Sequence, residues 1–128
     1  YGEKFEIKAE VSYRNKNLTG EKTIVISDFL PSDTAQILNM GTIVHEKQNA
    51  LLERHKPRDL FDLYFILRSD RLRKYARLDT MFLSKTEKLM EKIDSKRIGN
   101  EIKGFFPRSF WPIVKDLKKN VLSELRRV

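Results

Sequence analysis

VHEKQNALLERHKPRDLFDLYFIL, residues 44–67, reads as two helices joined by a break at His55-Lys56-Pro57. Met40, Ile43, Val44, Lys47, Ala50, Leu51 and Arg54 follow the three-and-four spacing of one helix face, so Lys47 and Arg54 interrupt the apolar stripe of their own helix. Either their stems pack while the charges reach solvent, or both point into a cleft that the stripe lines. Proline suits a first helical position, and Asp59 then sits in the first turn, where the helix dipole favours negative charge. Asp62 has no such account. It lies one turn on, the one charge within residues 60–67. A buried, unpaired carboxylate is costly, so Asp62 must face Lys47, Arg54, a metal or a substrate cavity. A core salt bridge between the two helices is the simplest of these.

Composition bounds the rest. With 128 residues and 40% hydrophobic content the chain can bury one core. It has no cysteine, which excludes disulfides, thiolate metal sites and a cysteine nucleophile and agrees with a cytoplasmic location. Two histidines, His45 and His55, make a histidine-rich zinc site a poor expectation and leave a carboxylate magnesium site open. No apolar run approaches the roughly 20 residues needed to cross a bilayer. The formal charge is +8, and it is unevenly spread: residues 1–41 hold five Lys/Arg against six Asp/Glu, residues 42–128 hold 21 against 12. The basic surplus of the second part suits polyanions, nucleic acid or nucleotide phosphate; a merely soluble lysine-rich surface is the plainer account.

Upstream, Phe5, Ile7, Ala9, Val11 and Tyr13 alternate with polar residues, which predicts a strand. Turn residues follow at 14–20, and Thr23-Ile24-Val25-Ile26 makes an antiparallel partner. Opening inside a strand at Tyr1 without a methionine reads as a fragment or an excised domain. Pro31 with Ser32-Asp33 predicts a turn and helix cap, and Gly41 a break. Downstream the pattern is helical. Residues 68–77 hold five basic residues against one acid, with Tyr75 among them, a run that suits a phosphate backbone with a stacked base or a solvated helix face. A helix is expected over 79–94 with Phe82, Leu89, Met90 and Ile93 inward, a short one over 97–103, and a last one with the stripe Phe110, Val114, Leu117, Val121, Leu125. The aromatics of 105–111 are most simply core.

A phosphate-cradling glycine loop, a nucleophile elbow and a histidine pair with metal spacing are all missing from the sequence. The candidate constellation is therefore the 44–67 stretch. Glu46-Lys47, then Ala50-Leu51-Leu52-Glu53-Arg54, then Lys56-Pro57-Arg58-Asp59-Leu60-Phe61-Asp62-Leu63-Tyr64 closely resembles the third and fourth motifs of the AbiEii/AbiGii-type toxin nucleotidyltransferases. The close match covers about twenty residues, with a looser likeness on either side.

The resemblance implies an α+β, mainly α fold: a short antiparallel strand pair over 1–41, then a helical bundle over 42–128, together the C-terminal part of a DNA polymerase β-like nucleotidyltransferase. It implies NTP as substrate, Mg2+ as cofactor, a cognate antitoxin as partner, an RNA acceptor (transfer RNA in some members) and a role in phage defence. Lys47 would contact the triphosphate; Arg54 and Arg58 would be phosphate or structural partners. Asp59 or Asp62 would be the essential acid of the fourth motif. Glu10, between Ala9 and Val11, fits the superfamily's strand carboxylate as a metal or base candidate, or is simply an exposed strand residue. Apart from the resemblance, the basic run of 68–77 offers Arg71, Arg73, Lys74 and Arg77 as nucleic-acid contacts. The family's glycine-serine motif with paired carboxylates is absent from these 128 residues, so this polypeptide alone is not expected to catalyse transfer. The competing reading is a non-enzymatic basic helical module that holds nucleic acid or a protein partner; a purely structural domain is the third.

Overall fold

The computed structural model describes residues 8–11, 18 and 20–127. They fall into two units, Tyr1–Leu38 and Asn39–Val128. In the first, β1 (Gly20–Val25) pairs antiparallel with β2 (Asp33–Leu38), Gly20 opposite Leu38 and Val25 opposite Asp33. The β-branched run Thr23-Ile24-Val25 suits a pleated strand. Gly20 is required by close approach, because a Cβ there would stand 2.7 Å from the Ile37 carbonyl oxygen. Between the strands the Ser27 hydroxyl accepts a 3.2 Å bond from the Phe29 amide.

This pairing bears on two expectations and corrects the second. The strand predicted over 5–13 lies outside the described residues except for 8–11, which are exposed and not in a strand. The described partner of β1 is instead β2, where a turn and helix cap were expected. Pro31 and Ser32 do precede an element, but Asp33 binds the next amide, Thr34, at 2.7 Å, and the chain continues extended because residues 33–38 find ladder bonds on β1.

The second unit is helical: α1 (Met40–Arg54), α2 (Pro57–Arg68), α3 (Asp70–Arg73), α4 (Thr80–Lys92), α5 (Ser95–Ile102), α6 (Trp111–Lys115) and α7 (Leu117–Leu125), with 3-10 turns over Lys103–Phe105 and Arg108–Phe110. The observed architecture is thus a two-stranded antiparallel sheet followed by helices, α+β and mainly α. Side-chain caps set the helix starts. Asn39 accepts from the Thr42 amide at 2.8 Å, Asp79 from Phe82 at 2.8 Å and Asp94 from Lys96 at 3.2 Å. Because Asn39 caps α1, Gly41 lies inside its first turn and is not the predicted break; the ring of Tyr75 sits 3.3 Å from where its Cβ would be.

Helix α2 is the centre of the unit. Leu60, Leu63 and Leu67 are essentially inaccessible, and the helix packs on α1, α5 and α7. Phe82, Leu89, Met90 and Ile93 bury as predicted, as do Val114, Leu117, Val121 and Leu125. The single last helix does not form. Asp116, at φ −105° and ψ 18°, breaks it into α6 and α7 while leaving the stripe facing inward. Nor are the aromatics of 105–111 all core. Phe105 is exposed and Trp111 lies at the surface beneath Lys103 and Arg108, 5.3 and 5.7 Å from its ring centre.

Two polar ties close this unit over long sequence separations. The buried Gln48 of α1 clasps the backbone of Arg77, donating to its carbonyl and accepting from its amide, both at 2.9 Å. Arg73 donates to the carbonyls of Leu67 (3.3 Å), Glu124 (3.0 Å) and Arg127, tying together the C-terminal ends of α2 and α7. Replacing Gln48 by leucine keeps the volume but strips both Arg77 groups of their partner. Gln48→Leu is expected to cost about 1–3 kcal/mol, read as a lower urea midpoint with an unchanged slope; an unchanged midpoint would show the clasp to be dispensable.

Candidate active site

The α1–α2 hairpin is made by one residue in an unusual conformation. His55 ends α1 in the left-handed region, φ 54° and ψ 36°, its amide bonded to the Leu51 carbonyl at 3.1 Å. Among the described residues it is the one non-glycine with positive φ. That conformation is sterically costly for a residue with a Cβ, and here it reverses the chain so that Pro57 can open α2 at once.

Two ion pairs run up the seam. Nearest the turn, Arg54 donates to Oδ1 of Asp59 at 2.7 Å; farther along, the Lys47 ammonium donates to Oδ2 of Asp62 at 2.7 Å. Their surroundings differ. The Asp59 side chain is 1% exposed and its Oδ2 has no hydrogen-bond partner, whereas the Lys47 and Asp62 side chains are 48% and 38% exposed. Asp62 does face Lys47, as one of the sequence alternatives had it, but the pair stands at the surface. The dipole account of Asp59 is incomplete, because burial makes Arg54 its necessary counterion.

Lys47 and Asp62 are the charged residues lining a cleft of about 460 Å3. Its walls are apolar: Ile43 and Val44 from α1, Phe61 and Phe65 from α2, and Phe106 and Phe110 from beyond α5. The phenylalanines form one cluster, with ring centres 4.8 Å apart for Phe61–Phe65 and 4.2 Å for Phe61–Phe106. An apolar pocket of this size with a few polar groups matches small-ligand sites in general. Chemically it offers an apolar surface beside one cation and one anion that are paired with each other.

The other predicted residues are placed as follows. Arg58 is exposed and has no ion-pair partner among the described residues. Glu10 lies in the first unit, 75% exposed and paired with Lys8. Of the basic run, Arg73 is taken up by backbone carbonyls, Arg68 pairs with the buried Glu124 at 3.4 Å, and the Lys74 ammonium lies 4.9 Å from the centre of the Tyr75 ring. Arg71, Lys74 and Arg77 are exposed. No three His, Asp or Glu side chains converge as a metal-binding set among the described residues. Asp59 and Asp62 are each engaged by a cation, so these two carboxylates do not make up a Mg2+ centre among the described residues. The sequence reading missed Phe106 and Phe110 as cleft walls.

A family model described as "Nucleotidyl transferase AbiEii toxin, Type IV TA system" matches residues 2–124. Neither a curated protein nor a solved structure matches the chain. Among the described residues, no helix is long and apolar enough to cross a membrane.

The unequal burial of the two pairs gives opposite expectations for their cations. Arg54→Ala leaves the buried Asp59 without a counterion and is expected to lower stability by about 3 kcal/mol. Lys47→Ala removes one half of an exposed pair and should cost less than about 1 kcal/mol. Equilibrium unfolding in urea decides; equal losses would mean that the two pairs do the same job.

Proposed function

Because the chain belongs to the AbiEii nucleotidyl transferase toxin family, we propose that the α1–α2 hairpin is the helical side of a nucleotidyl-transfer site, moving a nucleoside monophosphate from NTP to an acceptor. One observation carries the reading: of the hairpin's two ion pairs, the half-exposed one, Lys47–Asp62, lines an apolar cleft.

In this reading Lys47 binds the triphosphate. Its ammonium is a compact cation suited to charge that builds on the departing pyrophosphate, and it leaves Asp62 for the phosphate when nucleotide enters. Asp62 keeps Lys47 extended over the cleft until then, and is the acid of the fourth motif that faces the ligand. The phenylalanine wall accepts the flat base. Arg54 and Asp59 are positioning residues: paired through the buried Asp59 carboxylate, they fix the register of the two helices and so the approach of Lys47 to Asp62. Exposed Arg58 is a further phosphate contact. Divalent metal, when bound, orients phosphate and nucleophile in such transfers. The acceptor is an RNA, transfer RNA being the first to test, and an antitoxin restrains the activity; the basic surplus of residues 42–128 favours a polyanionic acceptor.

In the full-length protein, Lys47→Ala is expected to lower incorporation of α-labelled NTP into total RNA by about 100-fold or more, with the melting temperature nearly unchanged. Undiminished incorporation, or a variant that no longer folds, would refute the assignment of Lys47 to the triphosphate.

A further inference from the structure

Helix α4 sorts its charges by side. Glu87 and Glu91 line a groove shared with Lys118 and Arg126, and Glu87 pairs with Arg126 at 3.8 Å. Lys85, Lys88 and Lys92 line a different groove, of about 280 Å3, together with Leu52, His55 and Leu89. No carboxylate lines this second groove, and none of its three lysines has an ion-pair partner among the described residues. The arrangement works against the helix, because Lys88 and Lys92 are like charges one turn apart, as are Lys85 and Lys88. An acid at any of these positions would have relieved the repulsion.

We propose that the groove between the C-terminal end of α1 and α4 binds the phosphodiester backbone of a single nucleic-acid strand through Lys85, Lys88 and Lys92. The lysines rise over about 10 Å of helix, a length over which two successive phosphates of one strand fit. Lysine meets phosphate as a point charge without demanding a fixed fork geometry, which suits a mobile backbone. An acidic peptide fits less well. A docked helix needs apolar anchors, and the groove offers only the half-buried Leu52 and the buried Leu89. The basic run 68–77 is a weaker candidate for the same task, since Arg68 and Arg73 are held by Glu124 and by backbone carbonyls. The inference goes beyond the transferase reading and stands without it.

The test is fluorescence anisotropy of labelled 12-nucleotide RNA and DNA strands over a salt series, without NTP or metal. The combined variant Lys85→Gln/Lys88→Gln/Lys92→Gln is expected to bind about 10-fold or more weakly near 0.1 M salt and to lose about 1.4 from the salt slope, two single-strand phosphate contacts at roughly 0.7 each. The charge-matched control Arg71→Gln/Lys74→Gln/Arg77→Gln should retain most of the affinity, and the single reversal Lys88→Glu should weaken binding while the fold, followed by circular dichroism, is kept. Loss confined to RNA, or shared by RNA and DNA, supports the groove and tells which strand it takes. Equal loss in the two triple variants would mean diffuse attraction and overturn the proposal. So would unchanged binding in the α4 variants, or displacement of the RNA by a polyglutamate peptide at lower concentration than by unlabelled RNA.

Discussion

The contact between Arg54 and Asp59 is the constraint on which the helical unit depends. It spans the left-handed turn at His55 and ties the last turn of α1 to the first turn of α2. Helix α2 in turn carries the leucines against which α5 and α7 pack. A pair with one buried member gives little net stability over a well-packed apolar substitute, because the Asp59 charge must leave water. Its effect is on register: a slip of the hairpin would strand the Asp59 carboxylate without a cation. The same register brings Asp62, one turn farther along α2, opposite Lys47. A pair with a buried carboxylate and a half-exposed pair thus lie on one seam.

Features fixed by local chemistry were legible in the sequence. Pro57 after His55-Lys56 marked the break, Asp79 marked the start of α4, and the three-and-four spacing marked the inward faces of α4 and α7. Lys47 and Asp62 stood out because charge interrupts their apolar stripes. Features set by distant partners were not legible. Residues 33–38 become a strand because β1 supplies their ladder, and their own residues carry a weak preference. Asp59 and Asp62 differ in burial although both lie on α2 beside α1, since what covers Asp59 comes from packing and not from spacing. Phe106 and Phe110 join the cleft only because the turns after α5 bring them to Phe61 and Phe65.

Net charge was informative as a sum and misleading as a map. The densest basic run, 68–77, is partly consumed within the fold. Glu124, buried on α7, lies 3.4 Å from Arg68, 4.0 Å from Arg73 and 3.5 Å from Arg127, so these arginines fasten the C-terminal end of the chain to α2 and α3. The lysines of α4 are more widely spaced and carry no sequence motif. They become conspicuous only when the fold shows the acids of the same helix turned to another groove. A cation's availability depends on which carboxylates and carbonyls the fold brings to it, and that is decided by tertiary structure.

The central claim is that Lys47 and Asp62 face a nucleotide while Arg54 and Asp59 hold the frame. A crystal structure of the full-length protein with Mg2+ and a non-hydrolysable NTP tests it most directly. The account predicts triphosphate oxygens within hydrogen-bond distance of the Lys47 ammonium, the base against Phe65 and Phe110, and the Arg54–Asp59 contact unchanged from its present 2.7 Å. Nucleotide bound elsewhere, with Lys47 still on Asp62, would contradict it.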